Sequence, residues 1–165
     1  MERDRLAFET VGGVGAAPLG RAREADPGDR HGAAMCLMRL GAGDMSAMPQ
    51  EYVRSVFDYY APAFDAALVG SLAYRAPALL RDAVESVCRP MRFGTMLDLG
   101  CGTGLAGETF RPHVDWLVGV DLSPGMIAQA RRKAIYDRLQ AADLSAFLAA
   151  EDVARSRYHL AIAAD

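Results

Sequence analysis

The feature that most constrains the fold is a glycine-rich turn between a short apolar run and a following helix. Residues 98–104 read Asp-Leu-Gly-Cys-Gly-Thr-Gly and directly follow the apolar run 95–97. Glycines at alternate positions allow a tight turn and let a ligand approach the backbone closely. Amide groups at the start of the following helix would face that ligand. The pattern predicts a nucleotide-type site at the carboxyl end of a strand.

Short apolar runs recur along the second half of the chain, each with the form of a buried parallel strand. They cover residues 95–99, 116–120 and 158–163, with a shorter candidate at 138–141. Helical patterns separate them, and one begins at Ser123-Pro124, an N-cap followed by a first-turn proline, with a buried face extending to Ile135. This alternation predicts an α/β fold with an open, Rossmann-like parallel sheet.

The first half of the chain has a helical pattern and divides into two predicted segments. Residues 1–48 are predicted to be a repeat-like helical segment, partly flexible, with a helix that ends at the C′ glycine Gly41. Residues 49–93 are predicted to be a helical lid before the core, with a helix starting near Pro77. Residues 94–165 are then the sheet-containing part of the chain.

Composition excludes several classes of function. A net charge of −3 and a pI near 5.6 give no general attraction to phosphate backbones, so a nucleic-acid substrate would need a local basic patch, and none is evident. No apolar run approaches the roughly 18 residues that a membrane span needs, so we expect no membrane association and a cytoplasmic location. Neither the histidines nor the cysteines have the spacing of metal ligands, so no metal is predicted. They are His31, His113, His159, Cys36, Cys88 and Cys101.

Two cofactors are compatible with a glycine turn and an acid about 20 residues further on. Residues 102–107 formally match G-x-G-x-x-G, in which case Asp121 would bind the ribose of NAD. Asp98, however, lies just before the glycines, where it would repel a pyrophosphate. A carboxylate there suits the sulfonium and ammonium groups of S-adenosylmethionine. The acid before the turn favours the sulfonium cofactor.

Residues 96–104 resemble motif I of class I S-adenosylmethionine-dependent methyltransferases, and residues 119–126 resemble the segment that follows it. The resemblance implies that the glycine loop lies beneath the cofactor, with Asp98 near its methionyl end and Asp121 on the ribose hydroxyls. Its remaining predicted cofactor residues are Gly100, Cys101, Gly102, Gly104, Leu122 and Met126, of which the last two would flank the adenine. Cys101 is assigned to the loop for its small size.

Further resemblances lie on both sides of this motif. Residues 141–144 resemble the next motif of the family, which implies that Asp143 accepts from the adenine amino group and Leu144 offers its backbone N–H to the ring. Residues 52–77 are similar to predicted methyltransferases that follow tetratricopeptide repeats. In such proteins helices cover the cofactor, which makes Tyr60 and Tyr74 candidates to contact it.

The predicted function is transfer of a methyl group from S-adenosylmethionine to an unidentified acceptor by direct displacement. Asp165 is a candidate base by position alone. By resemblance the core lacks its last strands, so we expect an exposed edge beside residues 158–164 and a tendency to self-associate. Two alternatives stay open, an NAD-dependent oxidoreductase and a non-catalytic interaction module with a vestigial nucleotide site.

Overall fold

The computed structural model describes residues 15–43, 48–71, 73–150 and 158–164. The chain divides into two compact units, Met1–Val56 and Phe57–Asp165. In the ranges described, no helix has the length and apolar character needed to cross a membrane. The segment boundaries predicted at residues 48 and 93 stay predictions.

The first unit contains a helical stretch at residues 15–25 (α1) and the helix Ala33–Arg39 (α2). The Asp29 carboxylate accepts hydrogen bonds from the amides of Ala33 at 2.6 Å and Ala34 at 2.9 Å, which satisfies donors in the first turn of α2. Gly41 follows this helix with a φ of 68°, and the Ala42 amide bonds back to the Leu37 carbonyl at 3.0 Å. These contacts form a Schellman motif and confirm the predicted C′ glycine.

Helices also precede the sheet, as predicted. Helix α3 covers Gln50–Tyr60 and is followed by a 3₁₀ turn at Ala61–Ala63 and a π-helical turn at Ala66–Ser71. Helix α4 covers Ala76–Val87 and has Pro77 in its first turn, where a missing N–H has no cost. The predicted helix start near Pro77 is confirmed.

The second unit contains a four-stranded parallel sheet in the order β3-β2-β1-β4. Its strands are β1 Phe93–Leu99, β2 Val114–Asp121, β3 Arg138–Ala141 and β4 Leu160–Ile162. The connecting helices are α5 Leu105–Phe110, with a 3₁₀ turn at Arg111–His113, α6 Pro124–Arg132 and α7 Leu144–Ala150. The α/β fold with an open parallel sheet is confirmed.

Alternate residues of the two central strands are buried on opposite faces of the sheet. Met96 and Leu117 lie in one apolar cluster with Phe110 of α5. Leu97 and Val118 lie in the other, together with residues that include Phe147 of α7. Burying a side chain of this size contributes about 1.5–3 kcal/mol. Both faces of the sheet are therefore covered, which explains why β1 and β2 are continuous apolar runs in the sequence.

Helix α6 begins as the sequence predicts and ends earlier. The Ser123 hydroxyl accepts from the Met126 amide at 3.0 Å, and Pro124 is the first helical residue. The helix ends at Arg132, because Ala134 has a φ of 54° and leaves the helical region. The prediction that its buried face extends to Ile135 was wrong.

Candidate cofactor site

The site is formed where β1 and β2 end side by side. Asp98 pairs with Gly119 and Leu99 with Val120, so the loops after the two strands leave the same edge of the sheet. In the loop after β1, Gly100 has a φ of 67° and Gly102 a φ of 53°. A Cβ added at either glycine would meet no atom within 4 Å. The loop therefore has an open surface that two side chains would otherwise occupy.

Asp121 connects the two loops through its carboxylate. One oxygen, Oδ2, accepts from the Gly102 amide at 2.9 Å, and Oδ1 accepts from the Ser123 amide at 2.8 Å. Burial raises the pKa of this carboxyl, while the two amides act in the opposite direction. The acid at the end of β2 therefore shapes the glycine loop in addition to any contact with a ligand.

Asp98 is fully buried at the end of β1. The Tyr136 hydroxyl donates to its Oδ2 at 2.6 Å, whereas Oδ1 has no hydrogen-bond partner among the residues that the structure describes. Burial raises the pKa of Asp98 to about 6, despite the opposing effect of the Tyr136 hydrogen bond. A buried carboxylate oxygen without a donor fits a site that gains a donor or a cation on binding.

Tyr136 was not predicted as a site residue, yet it lies against the glycine loop and the neighbouring strand. A Cβ at Gly104 would lie 3.0 Å from its Cε2, one at Gly107 2.5 Å from its Cζ, and one at Gly119 2.7 Å from its Cε1. Three glycines therefore make room for this one ring. In the sequence Tyr136 lies two residues before β3, which begins at Arg138, and no periodic pattern marks its contact with Asp98.

Asp58, near the end of α3, holds the loop after β2. Its Oδ1 accepts from the Ser123 hydroxyl at 2.5 Å and from the Gly125 amide at 2.7 Å. A Cβ at Gly125 would lie 2.9 Å from this oxygen and 3.0 Å from the Asp58 Cα, so only glycine permits so close an approach. Sequence reasoning missed this contact because the two residues are 67 positions apart.

Asp65 makes the corresponding contact with the loop after β1. The Thr103 hydroxyl donates to Asp65 Oδ1, and Lys133 Nζ lies 2.8 Å from Asp65 Oδ2 and 2.8 Å from Glu108 Oε2. Burial alone would lower the pKa of Lys133, but its bonds to the two carboxylates outweigh burial and raise it. Asp58 and Asp65 thus tie the segment after residue 57 to both loops of the site.

Comparison with known proteins finds a family match over the segment that contains the glycine loop and the loop after β2. The methyltransferase-domain family matches residues 96–164. These residues are therefore similar to methyltransferase domains. Human methyltransferase-like protein 27 is 42% identical over 85 residues, which are 50% of this chain and 34% of that protein. The bovine 18S rRNA (guanine-N(7))-methyltransferase is 41% identical over 49 residues, 29% of this chain and 17% of that protein.

The chain therefore spans about a third or less of the length of these curated relatives. Among solved structures, a complex of DhpI with SAH is 28% identical with a TM-score of 0.48. The match covers 58% of this chain and 45% of that one.

Four further predicted cofactor residues lie near the same sheet edge. Leu122 is half-buried in the loop after β2, and Met126 is fully buried in α6. Asp143 caps α7, its Oδ1 accepting from the Ala146 amide at 2.9 Å. Leu144 opens that helix, where a first-turn N–H has no partner within the helix. The adenine contacts assigned to these four residues stay predictions.

The two predicted aromatic contacts differ in their surroundings. Tyr60 is exposed at the end of α3 and meets Tyr59 edge to face, with ring centroids 5.3 Å apart. Tyr74 is half-buried, and its amide donates to the Leu68 carbonyl at 3.1 Å. A role for either ring in covering a cofactor stays a prediction. The candidate base Asp165 lies outside the described residues.

Neither a nucleophile nor a metal centre emerges near the loop. Burial raises the pKa of the Cys101 thiol, so it stays protonated at neutral pH. Nδ1 of His159 accepts from the Thr95 amide at 3.0 Å, which gives one nitrogen of this ring a partner in the protein. Across the ranges that the structure describes, no group of three or more potential ligands could hold a metal ion.

The residues present fit a cationic nucleoside cofactor. Gly100 and Gly102 leave the loop surface open, and Asp98 has a buried oxygen that lacks a donor in the described structure. Two carboxylates, Asp98 and Asp121, lie near the ends of the adjacent strands β1 and β2. Their charges would oppose a pyrophosphate and favour a positive ligand.

Proposed function

We propose that this chain binds S-adenosylmethionine on the glycine loop and supports transfer of its methyl group to an acceptor. The observation that carries the proposal is the buried, half-satisfied carboxylate of Asp98 beside an open glycine surface. The methyltransferase-domain match over residues 96–164 supports it. S-adenosylmethionine supplies a methyl group already activated on a sulfonium, so no protein nucleophile is required.

The proposal assigns a role to each of the protein's own residues around the glycine loop. Asp121 offers carboxylate oxygens to the ribose hydroxyls while its backbone contacts keep the loop in shape. Asp98 offers its second oxygen to the positive methionyl end of the cofactor. Asp58 and Asp65 hold the two loops in place. Alignment of a bound cofactor is the main contribution that a direct displacement needs from the protein.

The glycine pattern does not favour the NAD-dependent alternative. In a dinucleotide fingerprint the third glycine serves close packing of helix and strand beneath a pyrophosphate. Here Gly107 makes room for Tyr136, whose hydroxyl is bound to an acid. This acid, Asp98, lies just ahead of the glycine turn, where its negative charge would repel a pyrophosphate. The formal motif match therefore has another structural explanation.

Several finer features remain proposals. The acceptor is unidentified, and a catalytic base at Asp165, self-association through the edge strand β4 and a cytoplasmic location are expectations from the sequence. The same holds for a tetratricopeptide-like first segment. A purified chain that sedimented as a concentration-independent monomer would contradict self-association.

The proposed function is tested by calorimetric titration with S-adenosylmethionine and S-adenosylhomocysteine. Gly100→Ala is the test variant and Gly41→Ala its matched control. The two glycines have nearly equal φ values, 67° and 68°, and neither has an atom within 4 Å of an added Cβ. Both variants should lose about 1–2 kcal/mol of stability from the left-handed backbone. Only Gly100→Ala should weaken cofactor binding, by about tenfold or more, since its methyl group intrudes on the ligand surface.

Three outcomes would count against the proposal. Equal binding by the two variants would show that the glycine loop does not hold the cofactor. A wild-type chain that is folded but binds neither ligand would overturn the proposed function for this chain. Saturable binding of NADH with no binding of S-adenosylmethionine would favour the oxidoreductase instead.

A further inference from the structure

The placement of Tyr136 suggests more than packing. Its ring fills space left by Gly104, Gly107 and Gly119, which come from the glycine loop, α5 and β2. Any side chain at these positions would collide with the ring or displace it. The fit fixes the ring, and with it the direction of the hydroxyl. That hydroxyl ends 2.6 Å from Asp98 Oδ2.

Asp98 depends on this contact. It is fully buried, and its other oxygen has no partner within the described part of the chain. Burial and the negative charge of Asp98 raise the pKa of the Tyr136 hydroxyl above its usual value, so the tyrosine remains a donor across the working pH range. One permanent donor on one oxygen leaves the carboxylate fixed in orientation and half satisfied.

We propose that Tyr136 is a positioning residue of the cofactor site, which orients Asp98 through its hydroxyl and leaves the second carboxylate oxygen available to the positive end of the cofactor. This inference rests on the proposed function. Tyr136 itself acts through Asp98 and need not touch the cofactor. The glycines of the loop and of α5 then serve two purposes, since Gly100 and Gly102 leave space for the ligand while Gly104 and Gly107 leave space for the tyrosine.

The arrangement links cofactor binding to protonation of Asp98. Within the described structure the titratable groups that act on it are Tyr136 before β3 and Asp121 at the end of β2, and Asp98 acts in turn on Cys101 in the glycine loop. Its partners across the sheet, Gly119 and Ile162, do not titrate. With a pKa of about 6, Asp98 loses its charge below that pH. Affinity for a cation should therefore fall as the pH drops from 7 to 5.

The test compares Tyr136→Phe with the wild-type chain by calorimetric titration with S-adenosylmethionine between pH 5 and 8. The variant keeps the ring and loses the hydroxyl, so affinity at pH 7.5 should fall about tenfold, as expected for a lost hydrogen bond to a charged group. Because the hydroxyl favours the charged form of Asp98, the pH at which affinity falls should also move upward. Tyr59→Phe is the matched control, since Tyr59 is 80% exposed.

A second variant, Asp98→Asn, separates a positioning role from a general loss of packing. Its affinity should be lower and independent of pH near 6, and adding Tyr136→Phe to it should change affinity by less than about threefold, because the group to be positioned is gone. An unchanged affinity and pH midpoint in Tyr136→Phe, or additive losses in the double variant, would overturn the proposal alone. Absence of binding by the folded wild-type chain would overturn the proposed function and this inference with it.

Discussion

Asp98 and Asp121 lie near the ends of the adjacent strands β1 and β2, yet the protein holds these two acids in different ways. Asp121 binds two backbone amides, one in each of the loops that follow the strands. Asp98 binds one side chain, the Tyr136 hydroxyl, and its second oxygen lacks a donor among the described residues. Asp121 is therefore held by the two loops themselves, whereas Asp98 is held by a side chain from outside these loops.

Because of this difference, Asp121 mainly affects the shape of the loops, and Asp98 mainly affects the charge that a ligand would meet. Backbone amides stay in place whatever the protonation state of nearby groups, so Asp121 helps to define the loop even without a ligand. Asp98 is buried at a cost, because its desolvated charge lacks full compensation. A ligand that supplies a positive donor would remove part of that cost. Under the proposed function, Asp121 therefore contributes mainly to the stability of the loops, and Asp98 contributes mainly to ligand binding.

The largest expected effect comes from matched substitutions of the two acids. At pH 8, Asp121→Asn should lower the free energy of unfolding by about 2 kcal/mol, because an amide cannot accept from both backbone donors in the same way. Asp98→Asn should raise it by up to about 3 kcal/mol, the energy that corresponds to a pKa of about 6 in place of 3.8. Urea unfolding measures both, and a similar loss in the two variants would contradict the comparison.

The pH dependence of stability should also reveal the cost of burying the Asp98 charge. The pKa of Asp98 is raised in the folded chain, so its contribution to stability is present below pH 3.8 and is lost as the pH rises through about 6. Relative to Asp98→Asn, the wild-type chain should lose up to about 3 kcal/mol between pH 4 and 7. Urea titrations at several pH values check this. A constant difference between the two proteins would show that Asp98 titrates normally.

A smaller effect is expected where α3 meets the loop after β2. Asp58→Ala removes the acceptor for the Ser123 hydroxyl and the Gly125 amide, which should lower the free energy of unfolding by about 1–2 kcal/mol and weaken cofactor binding. Asp58→Asn keeps an oxygen in place of Oδ1 and should stay close to wild type. Thermal unfolding and calorimetry compare the pair. Equal losses in both variants would mean that charge, and not the acceptor, is what matters at residue 58.

The elements of the fold were predictable where local chemistry determines them. Three such elements could be predicted because each depends on neighbouring residues. They are the short strand at 138–141, the Ser123-Pro124 helix start and the Gly41 helix end. The supports of the site were not. Tyr136 lies 38 positions from Asp98, and Asp58 lies 65 from Ser123. Such pairs are set by how the chain folds back on itself, and a single sequence carries no periodic signal for them.

Asp143 follows β3 and extends the comparison to a third acid beyond the end of a strand. Its substitution has the smallest expected effect. Asp143 resembles Asp121 in binding backbone, since its Oδ1 accepts from the Ala146 amide at the start of α7. Asp143→Ala should therefore lower the free energy of unfolding by about 1 kcal/mol, the usual effect of losing an N-cap, while Asp143→Asn should retain it. Urea unfolding of both variants tests the cap, and calorimetry with S-adenosylmethionine tests the predicted adenine contact. If Asn matched Ala in stability, Asp143 would belong with Asp98 as a residue whose charge matters more than its backbone bond.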